Sequence, residues 1–305
     1  MRIAIMGAGG TGGYFGGLLA RAGEDVTFIA RGAHFDTIRA CGLTVKSLQE
    51  GDYTLRVEAT DDPSTAGQVD VVLFCVKTYD TEAAAQRIQP LVGPDTMILS
   101  VQNGIGSPEH LARVVGSETI LGAAAYISSI IESPGIIAHS AGRRLIVGEL
   151  DGGASPRTEQ LCATFERAGI QVELHSDIQV ALWEKFISIC GLSGMTALMR
   201  LPVGPILACP ESSDLYHQVL EEVETVARAQ GVNVPAGVVE RSIPREFPGI
   251  YGSMYHDLVA GRRMELEALH GTVVHRAQGL DIPVPVNSVI YAALKPYAAG
   301  TPTLP

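Results

Sequence analysis

Short apolar runs and helical stripes alternate along the first half of the chain. RIAIM at 2–6 is a five-residue apolar run stopped by glycine, and residues 12–22 carry helical character with Leu18, Leu19 and Ala22 available to pack. VTFIA at 26–30, VDVVLFCV at 69–76 and MILSV at 97–101 are further runs, with a helical segment at 81–91 between the last two. Continuous apolar strands of this kind suit a parallel sheet covered on both faces. Alternation with helices predicts a doubly wound, Rossmann-like α/β domain. Residues 120–147 read as two strands about a turn at 133–135, extending the sheet in partly antiparallel fashion, and 171–175 reads as a last strand. After residue 176 the strand pattern stops. Asp177 is a plausible helix N-cap for 177–190. Residues 213–230 have apolar positions at helical spacing, 253–260 and 264–278 read as helices broken around Gly261, and 284–296 closes the pattern. TPTLP at the end reads as a loose segment. The expected organisation is an α/β domain over 1–175 and an all-α domain over 176–305, without internal repeats.

Composition narrows the function classes. The 305 residues are 46% hydrophobic and only 18% charged, which excludes disorder for the body of the chain. A net charge of −11, spread over both halves, argues against nucleic-acid partners and leaves no polybasic membrane patch. No apolar run has transmembrane length, and the opening MRIAIMGAGG reads as a strand rather than a signal peptide. The five cysteines, Cys41, Cys75, Cys162, Cys190 and Cys209, form no C-x-x-C and mostly sit in apolar surroundings. Reduced, mostly buried thiols in a cytoplasmic protein are expected.

The strongest local signal is Gly7-Ala8-Gly9-Gly10-Thr11-Gly12, a G-x-G-x-x-G directly after the first strand and opening the first helix. The first glycine permits the turn, the second lets backbone approach a pyrophosphate, and the third lets helix and strand pack closely. The helix N-terminus then presents free N–H groups to the phosphates. Where NAD-binding domains carry an acidic residue after the second strand, this chain has Arg31. A guanidinium pairs with a 2′-phosphate that a carboxylate would repel, so the expected cofactor is NADP(H). Lys77, at the end of VDVVLFCVK, is a second candidate cation.

Beyond these motifs the chain resembles the ketopantoate reductase family over nearly its whole length. The resemblance is carried in order by GAGGTG, Arg31, VKTYDT at 76–81, QNGIG at 102–106, LWEKFISIC at 182–190 and SMYHDLVAGRRMELEALHG at 253–271. It implies NADPH-dependent reduction of a small 2-oxo acid, 2-dehydropantoate to pantoate, on the route to coenzyme A. It assigns Lys185 as catalytic lysine, Asn103 to cofactor and substrate, Ser193 and Ser253 to the substrate, and Glu265 to the active cleft with substrate or cofactor-ribose contacts. An ammonium beside the carbonyl oxygen stabilises the developing alkoxide and donates a proton, and partial burial tunes its pKa. Read without the resemblance, Lys185 is a surface residue beside Glu184.

The chain departs from the family where asparagines line the ketopantoate pocket. Ile189, Ser193, Val203 and Ile250 stand at those places, which favours a less polar 2-oxo acid as the alternative substrate. Glu267 and His270 stand i, i+3 on a helix, half of a di-metal pattern without a second half, so no metal is expected. His256-Asp257 is a further proton-pair candidate, with Asp257 read as structural. The rival readings are a non-catalytic NADP(H)-binding sensor and a β-hydroxyacid or 6-phosphogluconate type dehydrogenase. The helical domain is a candidate homodimer surface.

Overall fold

The computed structural model describes residues 1–302, which fall into two compact units: 1–102 with 107–178, and 103–106 with the described residues from 179 on. In the first unit the elements run β1 (Arg2–Met6), α1 (Gly10–Arg21), β2 (Asp25–Ile29), α2 (Gly32–Cys41), β3 (Leu43–Ser47), β4 (Tyr53–Leu55), β5 (Glu58–Thr60) and β6 (Val71–Phe74). They continue with α3 (Thr81–Arg87), β7 (Met97–Ser100), α4 (Ser107–Val115), β8 (Ile120–Ser133), β9 (Ile136–Glu149), α5 (Pro156–Arg167) and β10 (Gln171–Leu174). The strands form one sheet in the order β4-β3-β9-β8-β7-β6-β1-β2-β5, with β10 added to β9. Pairing is parallel except between β8 and β9 and between β3 and β4.

Successive strand side chains point to opposite faces, and the core divides accordingly. Ile3, Ile5, Val71, Leu73 and Leu99 pack in one buried cluster, and Ala4, Met6, Val72, Phe74 and Ile98 in another. A sheet covered on both sides explains why these strands read as unbroken apolar runs. The short strands β3, β4 and β5 occupy a stretch where the pattern predicted nothing. β4 and β5 are edge strands of partly exposed residues, and β3 buries only alternate positions, Leu43, Val45 and Ser47, so none carries the unbroken apolar run of the central strands.

The second unit contains α6 (Ile178–Met199, from Gln179 on), α7 (Val203–Ala208), α8 (Pro210–Ala229), α9 (Val238–Arg241), α10 (Ser253–Val259), α11 (Thr272–Gly279) and α12 (Pro285–Leu294). No strand occurs among its described residues. Helix α6 runs nine residues beyond the predicted end at Cys190. Gly191 and Gly194 look like stops but serve close approach: a Cβ on Gly191 would press on Leu220 and Tyr216, and one on Gly194 would collide with His270 Nε2. The helix expected at 264–278 begins instead with a π-turn at Glu267–Gly271 that leads into α11, while the Met264 amide bonds Ala298 O at 3.0 Å. The last residues of TPTLP, 303–305, lie outside the described residues. Cys41 and Cys209 are exposed rather than buried; Cys162 and Cys190 are buried.

Helix α1 lies hard against β1. Gly7 has φ +99°, which L side chains rarely adopt, and a Cβ on Gly12 would collide with Gly7 O and crowd the Ile5 side chain. Gly9, by contrast, faces open space. Gly12→Ala should therefore cost about 1–3 kcal/mol through overpacking, whereas Gly9→Ala should cost less than about 1 kcal/mol. Thermal melting of the two variants checks this, and equal melting points would contradict the close approach.

Candidate active site

In the first unit the glycine loop follows β1. The Gly7 and Ala8 amides both bond Ile29 O at 3.2 Å, tying the loop to the end of β2. Gly9 caps α1 without any side-chain hydrogen bond, and Gly13 N donates to Gly9 O at 2.6 Å. The first-turn amides of Gly10, Thr11 and Gly12 thus stand at the positive end of a twelve-residue helix. Gly9 presents no side chain to obstruct an approaching anion. This cradle fits a pyrophosphate.

Arg31 begins α2 from extended backbone, and its side chain is 72% exposed. Its guanidinium is held rather than merely solvated, since NH2 donates to Asp80 Oδ2 at 2.8 Å. Asp80 belongs to the segment after β6 that also carries the exposed Lys77. Gln102, at the end of β7, fixes that segment: its buried amide donates to Val76 O and Thr81 Oγ1, each at 2.8 Å, and accepts from Ser100 Oγ at 3.2 Å. Neither Asp80 nor Gln102 was singled out by the sequence. The only signal was their place in VKTYD and QNG, the segments following two adjacent strands.

The second unit contains Asn103, Lys185, Ser193, Ser253 and Glu265. Asn103 starts a short loop in which Gly104 adopts φ +91° with its Cα turned toward Ala268 O, so closely that a Cβ would stand 2.8 Å from that carbonyl. Lys185 lies early in α6, a helix whose only other charged residue is Glu184. The two neighbours diverge. Glu184 meets Arg241 at 3.4 Å, whereas Lys185 interacts with the carboxylate of Glu265, which is only 5% exposed. Lys185 keeps partial solvent exposure, yet desolvation pulls its ammonium down to about 8, with Glu265 opposing the fall.

Ile189 and Ser193 follow Lys185 at intervals of four, on one face of α6. Ile189 is partly exposed and Ser193 is wholly buried against Gly252, whose amide donates to Thr196 Oγ1 at 3.0 Å. Gly252 precedes Ser253, the partly exposed first residue of α10. Val203 N donates to Ile250 O at 3.0 Å, so two of the positions where the resemblance leads one to expect asparagine are backbone neighbours.

The remaining sequence candidates have structural explanations. Asp257 accepts from Arg262 Nε at 2.9 Å across the Gly261 turn, while His256 is exposed. Glu267 pairs with Lys295 and accepts from Tyr291 OH, but His270 is fully buried, bonds Asn287 Oδ1 through Nδ1 at 2.9 Å, and is pushed down to about 4 by burial. The two side chains therefore do not share a ligand. Among the described residues no group of three or more His, Cys, Asp or Glu is arranged to hold a metal, and no helix is long and apolar enough to cross a membrane.

A parallel sheet with a helix-opening glycine loop, followed by a helical unit bearing a desolvated lysine, defines a nucleotide-dependent oxidoreductase. The family described as ketopantoate reductase PanE/ApbA matches residues 3–152, and its C-terminal counterpart matches residues 177–298. The chain is 32% identical to a 2-dehydropantoate 2-reductase of Halobacterium salinarum, over 94% of this chain and 95% of the relative. It superposes with TM-score 0.91 on a PanE/ApbA family ketopantoate reductase from Ralstonia eutropha JMP134, at 35% identity and 98% coverage of both chains. A D-mandelate dehydrogenase solved with NADH and anilino(oxo)acetate shares the fold at TM-score 0.91 and 20% identity, covering 98% of each chain. The chain belongs to the ketopantoate reductase family. It is an oxidoreductase acting on CH–OH groups with NADP(H) as cofactor, which sets aside the sensor reading.

The opposing effects on Lys185 make a measurable prediction. Its ammonium should titrate near pH 8, and Glu265→Gln should move that titration to lower pH by removing the carboxylate that holds the proton. NMR titration of the lysine side chains checks it, and an unmoved value in Glu265→Gln would separate the two groups.

Proposed function

We propose that the chain reduces 2-dehydropantoate to pantoate, with Lys185 as proton donor. The observation that carries this reading is the desolvated lysine of α6 beside a buried carboxylate. The glycine loop from Gly7 to Gly12 would hold the pyrophosphate, and Arg31, with Lys77 from the segment that also carries its partner Asp80, would take the 2′-phosphate. A nicotinamide cofactor held there would supply the hydride for the carbonyl carbon. As charge builds on the carbonyl oxygen, the Lys185 ammonium stabilises it and transfers its proton there. Glu265 keeps Lys185 protonated near neutral pH. Asn103 donates its amide to cofactor and substrate, and Ser253 donates its hydroxyl to the substrate carboxylate. Ser193, closed off against Gly252, acts by shaping the pocket wall near Ser253.

A second reading is favoured by the partly exposed Ile189, one turn from Lys185. It supplies neither donor nor acceptor for a substrate hydroxyl, and each unmatched polar group costs about 1–3 kcal/mol. A 2-oxo acid with an apolar tail then becomes the preferred substrate. Oxidation of NADPH, followed by absorbance over a series of 2-oxo acids, decides between them. A kcat/KM for 2-dehydropantoate well above that for apolar-tailed acids is expected on the first reading, and the reverse order on the second. For whichever acid wins, Lys185→Ala should lower kcat about 10²–10⁴-fold with NADPH binding intact. The parent rate should fall as pH rises through about 8, because the donor must carry its proton. Near-normal turnover of the variant would remove the lysine from the chemistry.

The cofactor preference tests Arg31. A charge-assisted contact is worth about 1.5–3 kcal/mol, or roughly 10–150-fold in affinity. Arg31→Asp should abolish or reverse the preference for NADPH over NADH by that order, measured as the ratio of kcat/KM values. Equal use of both cofactors by the parent would contradict the role.

A further inference from the structure

His34 stands in the first turn of α2, three residues after Arg31. Its Nε2–H donates to Ala8 O at 2.7 Å, in the middle of the glycine loop. Its Nδ1 accepts from the Gly135 amide at 3.0 Å, at the turn joining β8 to β9. One donor and one acceptor on a single ring define a neutral imidazole with its proton on Nε2. Burial, which lowers the pKa of this ring, keeps it in that form. Gly135 is itself fastened, because its carbonyl accepts from Thr44 N at 2.9 Å and its φ of +76° closes the turn. Ala8 is held from both sides, by Ile29 O at its amide and by His34 at its carbonyl. The ring therefore joins three segments distant in sequence: the loop that opens α1, the turn that follows Arg31, and the β8–β9 hairpin.

We propose that His34 is a positioning residue of the cofactor site, whose imidazole locks the glycine loop to the turn carrying Arg31 so that the pyrophosphate amides and the 2′-phosphate cation are fixed relative to one another. This rests on the assignment of the loop and Arg31 to the nucleotide. Without the ring, the Ala8 carbonyl loses its partner and the loop its fixed distance from α2. The nucleotide then has to order both segments on binding, a cost absent from the parent. The penalty falls on cofactor affinity and not on the proton transfer at Lys185. Glutamine at this position keeps the function, since its amide carries a donor and an acceptor on neighbouring atoms.

The test is a fluorescence titration of NADPH against the full-length parent, His34→Ala and His34→Gln, with steady-state kinetics beside it. Two lost hydrogen bonds predict about a ten-fold or greater rise in Kd and in KM for NADPH in His34→Ala. The change should fall on KM for NADPH and not on kcat, and His34→Gln should recover most of the loss. If His34→Ala does not fold by circular dichroism, His34→Asn takes its place, being one methylene too short to reach both partners. A Kd within about two-fold of the parent for a folded His34→Ala or His34→Asn, or no recovery in His34→Gln, overturns the proposal. A parent chain that does not bind NADPH at all overturns the nucleotide assignment, and this inference with it.

Discussion

Glu265 acts on Lys185 against the desolvation around it. Burial weakens the hold of the ammonium on its proton and the carboxylate strengthens it, and the balance near 8 leaves the group protonated at neutral pH but willing to give the proton up. Either influence alone would spoil the arrangement. An exposed lysine would keep its proton too tightly, and a buried one without a carboxylate would shed it. The helical unit supports this pairing from both sides. Helix α6 carries Lys185, and Glu184 is drawn off to Arg241, so it does not compete as partner. The segment after Gly261 brings Glu265 in outside regular helix, with the π-turn following directly. π-turns inside helical segments are uncommon and frequent at functional sites. Here the turn places buried His270 against Gly194 of α6, where a larger residue would not fit.

In the sheet unit the corresponding constraint is distance. Helix α1 comes so near β1 that glycine is required at position 12, and the turn feeding it needs the positive φ of Gly7. Arg31 gains its place from the parallel pairing of β2 with β1, which brings the end of β2 level with the end of β1. Asp80 and Gln102 show the same logic one and two strands over: the segments after β6 and β7 are tied by buried side-chain bonds. Carboxyl ends of neighbouring strands in an open α/β sheet form the place where ligands bind. The fold positions these groups simply by keeping its central strands parallel.

What the sequence revealed follows from the range of the interactions. The glycine loop and the alternation of runs are local patterns, so the α/β class and the glycine turn that opens α1 were legible from periodicity and spacing. Lys185 became a candidate only through the resemblance to a family, since LWEKF by itself reads as a helix with an outward Glu-Lys pair. The structure separates that pair because each residue finds its partner far along the chain. The same range hides His34, whose partners lie 26 and 101 residues away. Gly191 and Gly194 misled for the complementary reason. Locally glycine disfavours helix, but packing on Leu220, Tyr216 and His270 outweighs that preference and carries α6 on to Met199.

The positions that the resemblance marks as departures are not scattered. Ile189 and Ser193 share a face of α6 with Lys185, Val203 and Ile250 are joined through their backbones, and Ser193 abuts the glycine before Ser253. Val203 and Ser193 are fully buried, so their side chains act on a ligand only through the packing they impose. Ile189 is the exception, being partly open one turn from the ammonium. A proton donor acting on the carbonyl, the part proposed for Lys185, does not by itself discriminate among 2-oxo acids, because every such substrate presents the same carbonyl and carboxylate. Discrimination has to come from groups facing the tail, and the strength of rejection depends on whether a polar tail is left unmatched when desolvated. On the proposed function, chemistry and specificity therefore fall to different residues of one helix, with Ile189 the place where the second can change without disturbing the first.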